Sequence, residues 1–440
     1  MKVAFVNQPI DDIDLPPVRA GSITIWIYHV ARRLAKHCDV IVYGKKDGFQ
    51  NKIEYDEGVE YRFLPSAYDH LRVLKRKFKG LTGPRGRFLK SSAANSTSNS
   101  TRIPSTNSPK NKRPLVSSTL YYLDYALQVA NDLRTQKCDI DHIHNFSQLV
   151  PVIRLLNPNI KIVLHMHCEW LTQLDRTMIA KRLHKVELII GCSEYITDKI
   201  RNTFPQYAGL CQTVYNGVDT DHFCNSNGTK IAGGNCKKRL LFVGRVSPEK
   251  GVHVLLEAFK NVIEKYPDAE LEIVGPQGIP PLESIVGLSD ETKIKELARF
   301  YSGSYHSYLQ DGLCLGLSSQ VSFIGSVPHL ALPRYYSNAD ILINPSLYEA
   351  FGMTLVESMA CQVPVIATRV GGMVEIVEDG KSGVLVEPDT SSALAEAILN
   401  LLSDEDLRKS MGIAARKRAV ELFSYEKTVE SLRQCYRRIC

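Results

Sequence analysis

At 440 residues the chain is too long for a single hydrophobic core, and two domains are the expectation. Its 44% hydrophobic and 23% charged residues are ordinary for a globular protein, and no stretch is apolar for long enough to span a bilayer as a helix. The net charge of +7 is concentrated: twelve Lys or Arg and no acid lie between Asp69 and Asp124, more than the whole excess, so the remainder is net acidic.

The first seven residues are interrupted too soon, by Pro9 and Asp11, to serve as a signal peptide, and they read as a first strand. Eleven cysteines, an odd number with no Cys-x-x-Cys spacing, fit a reduced, cytoplasmic chain and lend no support to zinc. Short apolar runs at 3–7, 40–43, 61–64, 140–144, 160–165, 188–192 and 213–215 alternate with helical patterns, which predicts a parallel sheet. Gly21-Ser22 opens a helix running to His37, with Ile25, Tyr28, Ala31, Arg32 and Ala35 at helical spacing.

From Arg72 to Lys90 eight basic residues are interleaved with Leu71, Val73, Leu74, Phe78, Leu81, Phe88 and Leu89. That mixture suits an anionic membrane surface, at about 1 kcal/mol per basic residue near the lipid. A solvated insertion fits it equally. Nucleic acid is set aside, because no base-reading or stacking module accompanies the charge. Residues 91–109, rich in Ser, Asn, Thr and Pro, read as a disordered loop, so the whole insertion spans about 70–117. Next, KIVLHMHCEW ends a strand in His165 and His167, two residues apart and therefore on one face near its carboxyl end. A satisfied structural histidine is the competing reading for either. Asn216-Gly217 is a turn signal in a run, 213–220, that looks like the hinge into a second domain, and a polar loop follows at 225–235.

The strand–helix alternation restarts at 239–244. Arg245 and Lys250 follow that strand and precede a helix over 252–266, where cations grip a diphosphate through charge-assisted bonds of about 1.5–3 kcal/mol each. A basic surface loop is the plainer alternative. Strands are predicted at 271–275, 321–325, 339–346, 364–368 and 383–386, helices at 291–301, 353–361, 391–402, 405–423 and 425–439, and an irregular insertion at 302–317. Between the strand at 339–346 and the helix at 353–361 lies Glu349-Ala-Phe-Gly-Met-Thr-Leu-Val-Glu357. Gly352 lets backbone approach a ligand, and the N–H groups at the helix start face an anion. Two carboxylates beside a phosphate make sense if they hold hydroxyls, as in a nucleotide sugar. Two surface acids on a solvated helix fit the stretch taken alone.

The two-glutamate stretch, with Asn344-Pro345-Ser346 before it and Cys361-Gln362-Val363-Pro364, Gly371-Gly372 and Asp379-Gly380-Lys381-Ser382-Gly383 after it, resembles the retaining GT-B glycosyltransferases of family 4. Gln362 stands where that family usually has Gly, and Ser22 where it has a second Gly. The resemblance implies an α/β fold of two Rossmann-like domains, 1–215 and 216–423, facing across a deep cleft, with a last helix, 424–440, crossing back to the first. It implies transfer of a sugar from a UDP- or GDP-linked donor to a hydroxyl of a lipid-linked sugar, polysaccharide or small molecule, by same-face attack in which the leaving phosphate helps take the acceptor's proton. Arg245, Lys250, Gly21 and the helix start at Gly352, Met353, Thr354 and Leu355 would hold the diphosphate. Glu357 would bind ribose, Val327 the base through its backbone, and Glu349 the sugar hydroxyls. His167 would sit beside sugar and acceptor, with His165 and Asn216 as further contacts. No metal and no cofactor beyond the sugar donor is expected, and Asp-x-Asp triplets at Asp12, Asp139 and Asp219 are discounted. Family members dock on membranes through a basic region of the first domain, which makes a peripheral site at the inner face through Arg72–Lys90 an expectation. Three other readings remain: a glycoside hydrolase using Glu349 and Glu357 as acid and nucleophile, a sugar-nucleotide epimerase, and a non-catalytic nucleotide-binding partner subunit.

Overall fold

The computed structural model describes residues 1–11, 13–18, 21–46, 50–65, 117–224 and 237–440. The basic stretch Arg72–Lys90, the insertion around it except Ser117, and the polar loop 225–235 lie outside the described residues.

The first sheet comprises β1 (Lys2–Val6), β2 (Asp39–Lys46), β3 (Lys52–Asp56), β4 (Val59–Pro65), β5 (Ile140–His144), β6 (Lys161–Met166), β7 (Leu188–Gly191) and β8 (Cys211–Thr213). Their order is β3-β4-β2-β1-β5-β6-β7-β8, parallel except where β3 pairs with β4. Central strands such as β7 are buried throughout, which is why they read as continuous apolar runs. The run at 61–64 is β4, but its partner β3 escapes the sequence pattern. β3 is an edge strand that leaves Ile53 and Tyr55 exposed, and only its turn, Glu57-Gly58 with φ of 43° and 83°, marks it.

The second sheet comprises β9 (Arg239–Val243), β10 (Glu270–Val274), β11 (Val321–Gly325), β12 (Ile341–Asn344), β13 (Val365–Thr368) and β14 (Gly383–Val386), all parallel, in the order β11-β10-β9-β12-β13-β14. Chain order reverses between β9 and β12 here, and between β1 and β5 in the first sheet. Open α/β sheets bind ligands beyond the carboxyl ends of strands at such switch points. The segment 302–317, expected to be irregular, instead packs Tyr305, Leu309 and Leu317 into the core beneath the helix Val252–Lys265. Tyr305 and Leu309 are four apart, the helical spacing that the Ser- and Gly-rich text obscures.

Two strands of chain join the halves side by side. Val218 donates to the Phe423 carbonyl at 2.7 Å, and Tyr425 donates back to the Val218 carbonyl at 3.2 Å. The final helix, Tyr425–Arg437, then lies along the helix Ser22–Leu34 and buries Val429, Leu432, Cys435 and Tyr436 with Val3, Phe5 and Trp26. At about 1.5–3 kcal/mol per buried large apolar side chain, this packing ties the end of the chain to the first sheet. Among the described residues no helix is long and apolar enough to cross a membrane.

Candidate active site

The carboxyl ends of the two sheets face each other across a cavity of about 440 Å³. Gly21, Ser22, His167 and Asn216 line it from the first half, and Arg245, Lys250, Glu349, Gly352, Met353 and Thr354 from the second.

Each side chain is placed by local geometry. After β9, Ser247 begins a turn that ends at Gly251, whose φ of +68° and close approach to the Pro345 carbonyl exclude a side chain: a Cβ there would lie 2.1 Å from that oxygen. The turn buries Glu249, whose Oε1 accepts from Ser247 Oγ at 2.7 Å and from Arg245 at 3.1 Å. The guanidinium is thereby held at the rim of the cavity while remaining 44% exposed. After β12, Asn344 Oδ1 accepts from the backbone N–H and hydroxyl of Ser346, folding the loop that carries Glu349. Lys250 Nζ donates to Glu349 Oε2 at 2.6 Å, so the cation and the acid already neutralise each other across the site. Gly352, at φ +114°, turns the chain into the helix Met353–Ala360, whose first N–H groups open on the cavity.

Not every expected residue reaches the cavity. Glu357 is 4% exposed, with Oε1 2.9 Å from His329 Nε2 and Oε2 accepting from the Tyr336 hydroxyl at 2.6 Å. Being one turn into the helix turns it behind the tip. Leu355 is fully buried and its N–H bonds back to the Gly352 carbonyl, which leaves Met353 and Thr354 as the tip. Val327 packs against the apolar core outside the cavity. His165 is fully buried, because it lies inside the sheet register while His167 lies just beyond it. His142 and His144 on β5 stand beside His165, with one nitrogen of each of the three within 4.8 Å of the others. These nitrogens pair within the ring cluster: His142 Nε2 lies 3.1 Å from His165 Nδ1, and His144 Nδ1 lies 3.0 Å from His167 Nε2.

Contacts between the halves were invisible in the sequence. Ser193 Oγ donates to the Ala350 carbonyl at 2.7 Å, one residue from Glu349. Glu375 accepts from the N–H groups of Glu194 and Tyr195 at 2.8 and 2.7 Å, capping the helix Glu194–Thr203 from the other half. Burial raises the Glu375 carboxyl above its ordinary value, offset by these bonds. Ser193 could be foreseen as a helix N-cap, but not its second partner.

Two family models divide the chain at the same place as the sheets. The model described as Glycosyltransferase Family 4 matches residues 23–222, and that described as Glycosyl transferases group 1 matches 234–418. The chain belongs to the glycosyltransferases of the group 1, family 4 type. This glycosyltransferase is 26% identical over 453 residues to spore coat protein SA of Bacillus subtilis, covering 99% of each chain. Its fold is similar to that of sucrose-phosphate synthase from Thermosynechococcus elongatus, with a TM-score of 0.69 at 21% identity, covering 100% of this chain and 98% of that one. It is also similar to Anabaena HepE in complex with UDP and glucose, with a TM-score of 0.64 at 18% identity, covering 99% and 98%. The fold is therefore GT-B, and the enzyme is a glycosyltransferase.

Proposed function

We propose that this glycosyltransferase is a retaining enzyme using a UDP- or GDP-linked sugar. The observation that carries the reading is the convergence of Arg245, Lys250 and the helix tip at Met353–Thr354 on one cavity, opposite Gly21, His167 and Asn216. The cations and tip take the diphosphate and absorb charge as it leaves. Glu349 holds sugar hydroxyls and, through its bond to Lys250, sets where that ammonium stands. Ribose reaches Glu357 by taking the place of the His329 imidazole, and Val327 meets the base through its backbone. His167 and Asn216 lie beside sugar and acceptor. With fixed cations in place, the leaving group is neutralised without a bound metal. The acceptor is a hydroxyl of a lipid-linked sugar, polysaccharide or small molecule. UDP rather than GDP is favoured by the UDP-bound neighbour.

The hydrolase alternative makes no use of Arg245 and Lys250, which line the cavity together with Glu349. An epimerase on this fold would release an altered sugar donor with no acceptor present. A panel of UDP- and GDP-sugars, read by thermal shift and by chromatography of the nucleotide products, tests the proposal. The expected result is a raised melting temperature with one sugar donor, by the mass action of binding. That donor should also yield nucleoside diphosphate when acceptor is added. No shift with any member, or an epimerised donor without acceptor, would refute it.

A further inference from the structure

The ring cluster behind the cavity does more than fill space. His142 and His144 on β5, His165 on β6 and His167 just past its end point the same way, and His165 and His167 stack with centroids 4.1 Å apart under Trp26. Burial keeps all four uncharged: the first three titrate well below the ordinary value, and His167 falls to about 3. An uncharged imidazole carries one proton, so its position decides which nitrogen donates.

Two buried atoms locate it. His144 Nε2 has no partner, while its Nδ1 lies 3.0 Å from His167 Nε2. A proton on His144 Nε2 would be an orphaned buried donor, costlier than an orphaned lone pair. The proton therefore belongs on His144 Nδ1, donating to His167 Nε2. Asn216 Oδ1 is likewise buried without a hydrogen-bond donor, and as a neighbour of His167 its side chain favours a proton on that ring. With Nε2 of His167 taken, that proton sits on Nδ1. The His167 backbone N–H donates to Asn145 Oδ1 at 2.7 Å, fixing the ring's base.

We propose that His144 is a positioning residue that holds His167 with its proton on Nδ1, presented to Asn216 and the cleft as a hydrogen-bond donor to a sugar hydroxyl, not as a base. This rests on the reading that His167 faces the sugar. The titratable or charged groups around His167 are His142, His144 and His165 on the two strands, Tyr436 behind His142, and Arg245, Lys250 and Glu349 across the cavity.

Long-range nitrogen–proton correlation spectra of the full chain, labelled with ¹⁵N at histidine, test the assignment between pH 5.5 and 8. His167→Gln identifies the His167 signals. In the wild-type protein His167 is expected to be Nδ1-protonated and neutral throughout. His144→Asn, whose side-chain amide stands where Nδ1 stood, should preserve that pattern and most of kcat. His144→Leu should let His167 exchange tautomers or titrate, with kcat lower by about 10²-fold, as for a group misplaced by ~1 Å, and KM for the sugar donor little changed. An Nε2 proton or an imidazolium in the wild-type spectrum would overturn the role of His144, as would an unaltered His167 pattern in His144→Leu. Wild-type kcat in His167→Gln would instead overturn the sugar-facing reading, whatever the tautomer.

Discussion

Replacing Glu349 by Ala is expected to lower kcat/KM for transfer by about 10²–10³-fold, the scale of losing one charge-placing group in a preorganised site. Nucleoside diphosphate binding should survive. The reason lies in the bond from Lys250 to Glu349 at 2.6 Å, between two side chains that line the cavity. Removing the carboxylate frees the ammonium for the diphosphate, so affinity for UDP or GDP holds or rises slightly. Transfer loses both the group that orients the sugar and the one that fixes the cation. Initial rates with the sugar donor found in the panel, beside calorimetric titration of its nucleoside diphosphate, separate the two effects. Loss of nucleotide binding together with turnover would mean that Glu349 is structural; undiminished turnover would remove it from the mechanism.

Gly371→Ala should damage the same site from behind. Gly371 sits at φ +52°, and a Cβ there would lie 1.7 Å from the Glu349 carbonyl oxygen, so the loop carrying Glu349 has to move. A shift of ~1 Å at a reacting group costs about 10²-fold in rate. The matched control is Gly380→Ala, at φ +75° with nothing within 4 Å of the added Cβ. It carries only the left-handed backbone penalty of about 1–2 kcal/mol. Both variants should melt lower than the wild type, but only Gly371→Ala should lose activity beyond its loss of folded protein. Equal kcat in the two variants would show that the position of the Glu349 loop does not govern the rate.

Local rules made much of this architecture legible. The strand at β12, the breaker at Gly352 and the helix after it place Glu349 at a strand end, and the restart at β9 places Arg245 and Lys250 at the facing switch point. Depth behind the helix tip was harder to read. Glu357 meets Tyr336 and His329, 21 and 28 residues away, and those partners turn it from the cavity. The edge strand β3 went unseen because it buries little apolar surface, and the packing of 302–317 because its contacts lie in another element. His144 was within reach of the sequence: His142-Ile143-His144 repeats the alternation of His165-Met166-His167 at another strand end. Only the pairing of β5 with β6 brings the two runs together. Glu375 and Ser193 join the halves across more than 150 residues, a separation at which no periodicity speaks.

On the proposed mechanism, fixed protein cations neutralise the diphosphate of the sugar donor. The direct measurement is calorimetric titration, in the presence of EDTA, of UDP or GDP, whichever base the panel selects, into wild-type protein and Arg245→Ala/Lys250→Ala. Metal-independent binding by the wild type is expected, with an affinity at least about 10²-fold weaker in the double variant, from two charge-assisted bonds of about 1.5–3 kcal/mol each. Equal affinity in the two proteins, or wild-type binding abolished by EDTA, would contradict that mechanism.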